Sequence, residues 1–304
     1  MSAVRKLAEA RSLPDGLGVA ASRMLPDEEF TAAWDAIVLP DDVKQRLARE
    51  AVAALTLRAA GIPFEALPLH GITLLLGPPG TGKTTFSYGL ADRVAASANS
   101  LGSFVFIEVD PHGLMSSAHG RSQKAVERLF NEVVAAAAEE GPTIVLLDEV
   151  ETLAADRGTL STQTNPIDTH RAVDAVLTSV DRLAREYPNL LFIATSNVPK
   201  LVDEAFTSRA DVVYTFPLPD VEAREQILKG TIEAVAVGFP GIERVIADGS
   251  VRRAAEAADG LDGRRLRKLV ATAVAMRAEA QVNPRQMTGA DLMAAVAAAE
   301  AAAR

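Results

Sequence analysis

Gly77-Pro78-Pro79-Gly80-Thr81-Gly82-Lys83-Thr84 constrains this chain more than any other stretch. It directly follows an apolar run of strand length, Ile72–Leu76, and opens a helical stretch, the context that a phosphate-binding loop requires. Glycines let backbone N–H groups converge on phosphate oxygens with no Cβ in the way, and a helix N-terminus adds partial positive charge. Lys83 is suited to reach the β- and γ-phosphates of ATP and the Thr84 hydroxyl to ligate Mg²⁺, with Thr85 next in the same stretch. The fixed positions arise by chance in roughly 1% of chains this long. The bland reading is a Gly/Pro turn at a strand end; the strand before and the helix after favour the loop.

The runs around it share one character. Ile72–Leu76, Phe104–Val109, Thr143–Leu147, 190–194 and 212–216 are short, apolar and without polar alternation. Strands buried on both faces read this way, so an α/β fold with a parallel sheet flanked by helices is expected. Val126, Leu129, Phe130, Val133 and Val134 mark one crossover helix, and Val173, Val176, Leu177, Val180 and Leu183 another. Upstream, Asp41 and Asp42 sit where an N-cap belongs, Val43, Leu47, Ala51 and Leu55 follow at four-residue steps, and Gly61 closes that helix. The prolines of Phe216-Pro217-Leu218-Pro219-Asp220 interrupt the pattern. Beyond them 220–237, 250–259, 263–282 and 288–303 read as helices, Ser250 as a cap, and Thr288 with Asp291 as a box-like helix start. The expected organisation is an N-terminal tail over 1–25, a large nucleotide-binding domain over 26–217 and a small helical lid over 218–304.

A second motif belongs to the same chemistry. The run Ile144-Val145-Leu146-Leu147 delivers Asp148 and Glu149 at a strand's C-terminal end, where open α/β sheets bind ligands. Asp148 there would hold Mg²⁺ through its water shell, and Glu149 would polarise an attacking water; alternatively, both cap the next helix. Asn197 follows the next strand, in Ala194-Thr195-Ser196-Asn197, where an amide can orient water against the γ-phosphate or merely form a turn. Arg209 precedes the last strand, suited to an arginine finger or to a salt bridge with Asp211. Arg264 opens a lid helix and can touch nucleotide, or join Arg265, Arg267 and Lys268 in a solvated basic face. Trp34, the only tryptophan, suits packing better than base stacking, and His70, His112, His119 and His170 share no metal-ligand spacing.

Composition narrows the function classes. A net charge of −9 disfavours a general electrostatic grip on nucleic acid. Without cysteine there is no disulfide framework or thiolate chemistry. No apolar run approaches the roughly 20 residues of a membrane span, and the first residues lack the apolar core of a signal peptide. A cytoplasmic protein is expected.

Taken in order, GPPGTGKTT, IVLLDEVETL, IATSN, SRAD and DGRRLRKL resemble the AAA+ ATPases. Three stretches are similar, more narrowly, to the pachytene checkpoint protein 2 / thyroid receptor-interacting protein 13 family. They are Glu149-Val150-Glu151-Thr152-Leu153, Asn165-Pro166-Ile167-Asp168 with the helix after it, and 261–269. The resemblance covers about residues 30–290. It implies a hexameric ring of identical subunits that hydrolyses ATP and remodels HORMA-domain proteins by engaging a flexible end. It also implies that Arg209 acts on a neighbour's ATP and that Arg264 is the lid's sensor. The sequence departs from that family twice. Only about 30 residues precede Trp34, so the long N-terminal adaptor-binding domain is not expected, as in short bacterial forms linked to HORMA proteins in antiphage defence. The first pore loop matches 115–120 and has no aromatic, leaving Met115 and His119 as candidates for client contact. A general unfoldase or assembly factor with another client, and a nucleotide-gated scaffold with little turnover, remain open at this point.

Overall fold

The computed structural model describes residues 18–111, 114, 122–152 and 166–303, with no account of the side chains of 122, 166–173 and 303. Met115, His119 and the stretch through Asn165 lie outside the described residues. What is described forms two compact units: residues 18–77 with Lys83–Phe216, and Pro78–Gly82 with 217–303.

The first unit is built on six strands, β1 (Val19–Leu25), β2 (Ile72–Leu76), β3 (Phe104–Val109), β4 (Thr143–Leu147), β5 (Leu190–Ser196) and β6 (Val212–Thr215). Their spatial order is β1-β3-β4-β5-β2-β6. All neighbours run parallel except the edge strand β1, which pairs antiparallel with β3. Helices α1 (Glu28–Ala36), α2 (Asp41–Ala59) and α3 (Lys83–Ser97) precede β3. Between β3 and β4 come α4 (Ser122–Arg128), a π-helical segment Leu129–Val134, and α5 (Ala135–Glu140). Helix α6 (Pro166–Glu186) leads into β5, and the short α7 (Glu204–Thr207) precedes β6.

The period-two pleat of each inner strand sorts its side chains into two cores. Val145 and Leu147 of β4 and Leu190, Phe192 and Ala194 of β5 pack with Val126, Phe130, Val134, Val176 and Val180. Ile144, Leu146, Leu191 and Ile193 pack on the other face with Leu47, Leu55, Phe86, Leu90 and Trp34. Every one of these strand residues is fully buried, which is why the strands lack polar alternation. Trp34 is buried and stacks on Phe86, ring centroids 5.5 Å apart. A Cβ at Gly89 would meet the Trp34 backbone at 2.6 Å, so α3, which begins at Lys83, is pressed directly onto α1.

Within this unit three features differ from the sequence reading. Val19–Leu25 is a paired edge strand and not part of a tail; its buried-face signal is weak because the edge leaves most of its residues half-exposed. Asp41 and Asp42 occupy the first turn of α2 while Pro40 takes the cap position without a side-chain bond, so they favour the helix dipole and cap nothing. The crossover helix over 122–140 widens into a π-turn that keeps Leu129, Phe130, Val133 and Val134 all buried.

The second unit holds α8 (Val221–Ala236), α9 (Arg244–Ala247), α10 (Ser250–Ala257), α11 (Gly263–Ala275), α12 (Ala278–Val282) and α13 (Gly289–Ala303). Gly249, in the left-handed region at φ 73°, takes the cap position of α10, and the buried Ser250 is its first residue instead of its cap. Thr288 and Asp291 do form the reciprocal start of α13: the Thr288 N–H donates to Asp291 Oδ2 at 2.8 Å, and the Asp291 N–H to Thr288 Oγ1 at 3.4 Å. The single helix expected over 263–282 is broken between α11 and α12, where Arg277 is extended and forks onto Asp291 at 2.7 and 2.8 Å. Among the described residues no helix is long and apolar enough to cross a membrane.

The Arg277 hydrogen bonds hold the buried Asp291 carboxyl down at about 2, against the opposing effect of burial and with the Thr288 donors helping. A carboxylate depressed below its unfolded value of about 3.9 contributes stability that is complete above that value and disappears as pH falls through the folded value. Asp291→Asn is therefore expected to cost on the order of 2 kcal/mol at neutral pH. The difference in urea midpoint from wild type should hold above about pH 4 and shrink between about pH 4 and 2. A gap that persists undiminished to the acid end would remove the ion pair as its cause.

Candidate functional site

Strand β5 lies between β2 and β4, in register with both: Leu76 faces Ser196 and Leu147 faces Ala194. The chain leaves β2 as the Gly77–Gly82 loop and leaves β4 as Asp148-Glu149, so both segments emerge at the same sheet end, on either side of Thr195, Ser196 and Asn197. Such a switch in strand order is where open α/β sheets bind ligands.

The loop's glycines answer to geometry. Gly77 has φ 140°, and a Cβ there would lie 2.5 Å from the Phe216 carbonyl oxygen. Its N–H donates to the Ser196 carbonyl at 3.2 Å, pinning the loop's start to β5. The segment Pro78–Gly82 packs within the second unit. Gly80 has φ 79°, and a Cβ on it would meet Asp262 Oδ1 at 2.2 Å. Asp262 caps α11 by accepting from the N–H groups of Arg264 and Arg265, and the Arg264 N–H also donates to the Gly80 carbonyl at 3.3 Å. The Thr81 hydroxyl donates to the Pro78 carbonyl at 2.9 Å. Pro78, Pro79, Thr85 and Arg264 are exposed.

Lys83 is buried, and its ammonium donates to the Gly77 carbonyl and to Asn197 Oδ1, both at 2.8 Å. Asn197 Nδ2 in turn donates to Glu149 Oε1 at 2.9 Å. The amide's orientation follows from chemistry, because an ammonium only donates and a carboxylate only accepts. Asn197 thus links the two residues that the sequence assigns to phosphate binding and to water activation. The Thr84 hydroxyl donates to Asp148 Oδ1 at 2.9 Å, placing a hydroxyl and a carboxylate side by side. That all-oxygen pair fits Mg²⁺, a hard cation that keeps part of its water shell.

Two positioning residues escaped sequence reasoning. The Thr195 hydroxyl donates to Asp148 Oδ1 and accepts the Glu149 N–H at 3.1 Å, gripping both acidic residues from β5. Glu149 has φ 54°, in the left-handed region that costs a residue with a Cβ on the order of 1–2 kcal/mol. The Thr195 contact compensates part of that strain. Glu151 Oε1 accepts the Asn197 N–H at 3.0 Å and so fixes the backbone that carries the bridging amide. The only advance signals are position: Thr195 two residues before Asn197, and Glu151 two after Glu149. Close by, Glu108 on β3 accepts from the Tyr88 hydroxyl at 3.0 Å. Burial raises the Glu108 pKa, the Tyr88 hydrogen bond opposes this, and the charge of Asp148 adds to the rise.

Arg209 does not pair with Asp211. The Asp211 carboxylate accepts from the N–H groups of His70, Gly71 and Ile72, at 3.0, 2.6 and 3.1 Å, anchoring the start of β2. The Arg209 side chain instead engages Asp181 of α6 and the Ala205 carbonyl, and is not hydrogen-bonded to the Lys83–Asn197–Glu149 cluster.

A glycine-rich loop leaving an inner parallel strand, with two acidic residues presented across β5, defines a P-loop nucleotide-binding domain. The sequence matches the family described as "ATPase family associated with various cellular activities (AAA)" over residues 73–218. It is 47% identical to CD-NTase-associated protein 6 of Pseudomonas aeruginosa, over 92% of this chain and 91% of that one. It is 32% identical to a pachytene checkpoint protein 2 homolog of Arabidopsis thaliana, over 81% of this chain but 59% of the relative. The solved structure of an E. coli MS115-1 HORMA:CdnC:Trip13 complex contains a chain of the same fold, with TM-score 0.72 and 18% identity over 91% of this chain and 94% of that one. The chain belongs to the AAA ATPase family.

Thr195→Val is close to isosteric and removes both bonds to the acidic pair. Nucleotide hydrolysis is expected to fall by roughly 10- to 100-fold, the usual effect of losing a partner that orients a metal-side carboxylate. Nucleotide affinity, set largely by the phosphate loop, should change little. Steady-state turnover and calorimetric titration of the same preparation separate the two, and unaltered turnover would make Thr195 a packing residue only.

Proposed function

We propose that this chain is an ATP-hydrolysing protein remodeller that works as a hexameric ring in the cytoplasm and acts on a HORMA-domain partner, in bacterial antiphage signalling. Support for the catalytic part is internal. Lys83 and the loop residues Gly77, Pro78, Pro79, Gly80, Thr81, Gly82 and Thr85 would cradle the phosphates, while Thr84, and Asp148 through water, would hold Mg²⁺. When bound, Mg²⁺·ATP would supply the electrophilic phosphorus, with the metal neutralising part of the phosphate charge. Glu149 acts as the base that orients and deprotonates water, Asn197 positions it, and Arg264 is the cation that the helical unit contributes beside its Gly80 segment. Arg209 acts in trans on the ATP of a neighbouring subunit.

The observation that carries this reading is the Lys83–Asn197–Glu149 chain of hydrogen bonds. Lys83 Nζ, which here donates to Asn197 Oδ1, would also be the donor to a bound γ-phosphate. Because the same amide donates to Glu149 Oε1, Asn197 would link phosphate binding at Lys83 to the placement of the base. The partner assignment is supported by the relatives. The solved complex of similar fold pairs a Trip13 chain with a HORMA protein, and a relative 47% identical is named for association with a CD-NTase.

Lys83→Ala should lose nucleotide binding in calorimetry, whereas Glu149→Gln should bind ATP, accumulate a loaded ring and hydrolyse at least about 10²-fold more slowly. Neither Lys83→Ala nor Arg209→Ala should turn over ATP alone. Mixed, they create interfaces pairing an intact Lys83 site with an intact Arg209, and activity should return. If co-assembled subunits remain silent, Arg209 does not act in trans. The loaded Glu149→Gln ring should retain a purified bacterial HORMA-domain protein; retention of a different client alone would point to a general unfoldase.

A further inference from the structure

The Arg209 guanidinium is held in place before any neighbour arrives. Its Nε donates to Asp181 Oδ1 at 2.6 Å and its Nη2 to Asp181 Oδ2 at 2.8 Å, a planar fork-to-fork pair. Its Nη1 donates to the Ala205 carbonyl of α7. These bonds use three of the five N–H donors of a guanidinium. One edge is therefore occupied, and one N–H on each of Nη1 and Nη2 is not engaged by these contacts. The Arg209 side chain is 24% exposed, so part of it stays open to an incoming group while Asp181, itself half-buried, holds the Nε–Nη2 edge. Asp181 is fixed in turn: His70 Nε2 lies 3.3 Å from Asp181 Oδ1, and the His70 N–H is tied to Asp211. The carboxyl is held below its ordinary range because the Arg209 hydrogen bonds and charge, with His70 adding, outweigh the burial that would raise it.

We propose that Asp181 is a positioning residue for Arg209, gripping the inner edge of the guanidinium so that its outer edge is presented to the phosphates of the neighbouring subunit. This rests on the reading of Arg209 as acting in trans. A finger that had to find its rotamer at each encounter would lose side-chain freedom on contact. A bidentate carboxylate on a 21-residue helix whose packed face is part of the core removes that cost in advance. The pairing leaves the guanidinium charged, since Asp181 stabilises its protonated form.

The test places the substitution on one side of an interface at a time. Glu149→Gln subunits have silent sites and intact fingers, and Arg209→Ala subunits have intact sites and no finger. In a mixture, turnover arises only where an Arg209→Ala site faces a Glu149→Gln neighbour. Adding Asp181→Ala to the Glu149→Gln subunit is expected to cut that turnover by roughly 10²-fold, the effect of a misplaced reacting or stabilising group. Adding it to the Arg209→Ala subunit should leave the turnover unchanged, and nucleotide affinity should be unaffected in either placement. Asp181→Asn, which keeps one acceptor oxygen, should recover part of the loss and serves as the reading if Asp181→Ala does not assemble. Full turnover in the first placement, or an equal loss in both, overturns the proposal. A parent mixture with no turnover sinks the trans reading of Arg209 and this inference together, and differs from the other failures because the loss precedes any change at Asp181.

Discussion

The hydrogen-bonded ladder that seats β5 between β2 and β4 is the contact on which the rest of the site depends. Pairing Leu76 with Ser196 and Leu147 with Ala194 brings three strand ends to one level. A parallel ladder shifted by one residue would exchange the two faces of β5. It would turn Thr195 and Asn197 away from their partners and bury the wrong set of apolar side chains. The two cores on either face of the sheet therefore do more than stabilise it. They forbid the slips that would separate Lys83 from Asn197 or Asp148 from Thr195.

That precision permits an arrangement that would otherwise be unfavourable. A buried ammonium left unpaired costs several kcal/mol, and Glu149 adopts a backbone conformation that its Cβ disfavours. Both are held by neighbours already fixed by the sheet. Lys83 gains a backbone carbonyl and an amide, and Glu149 gains the Thr195 hydroxyl on its N–H and Asn197 on its carboxylate. A strained Glu149 backbone beside a buried, hydrogen-bonded Lys83 at one sheet end is the kind of arrangement expected of a site preorganised for charge.

The sequence revealed what rests on local pattern and hid what rests on pairing at a distance. The inner strands were legible because burial on both faces leaves an uninterrupted apolar run, and the loop because few residues satisfy its backbone. The edge strand β1 was not, since one neighbour and partial exposure allow Ser22 and Arg23 within it. Nor was the break at Arg277, whose extended conformation is stabilised by Asp291, 14 residues further on. At the site, Asp148, Glu149 and Asn197 were readable from their places at strand ends, while Thr195 and Glu151 act through contacts made only after β4 and β5 are paired. Arg209 was readable as an arginine before the last strand. Its partner Asp181 lies 28 residues upstream on a helix recognised by its apolar stripe, and the only pairing that a residue-by-residue reading offered as an alternative to the finger was the nearer Asp211.

That nearer carboxylate was excluded by backbone chemistry. Asp211 is adjacent to β6 and faces the start of β2, where the N–H groups of His70, Gly71 and Ile72 converge on it. Three main-chain donors outcompete a flexible guanidinium, because leaving any of them buried and unsatisfied would cost about 1–3 kcal/mol. Arg209 then pairs with the acceptor that remains within its reach, Asp181, and the two acidic residues divide their work. One anchors the start of β2 and the other holds the Arg209 guanidinium. The requirement that backbone donors be satisfied therefore reaches from the first residues of β2 to the partner that Arg209 takes.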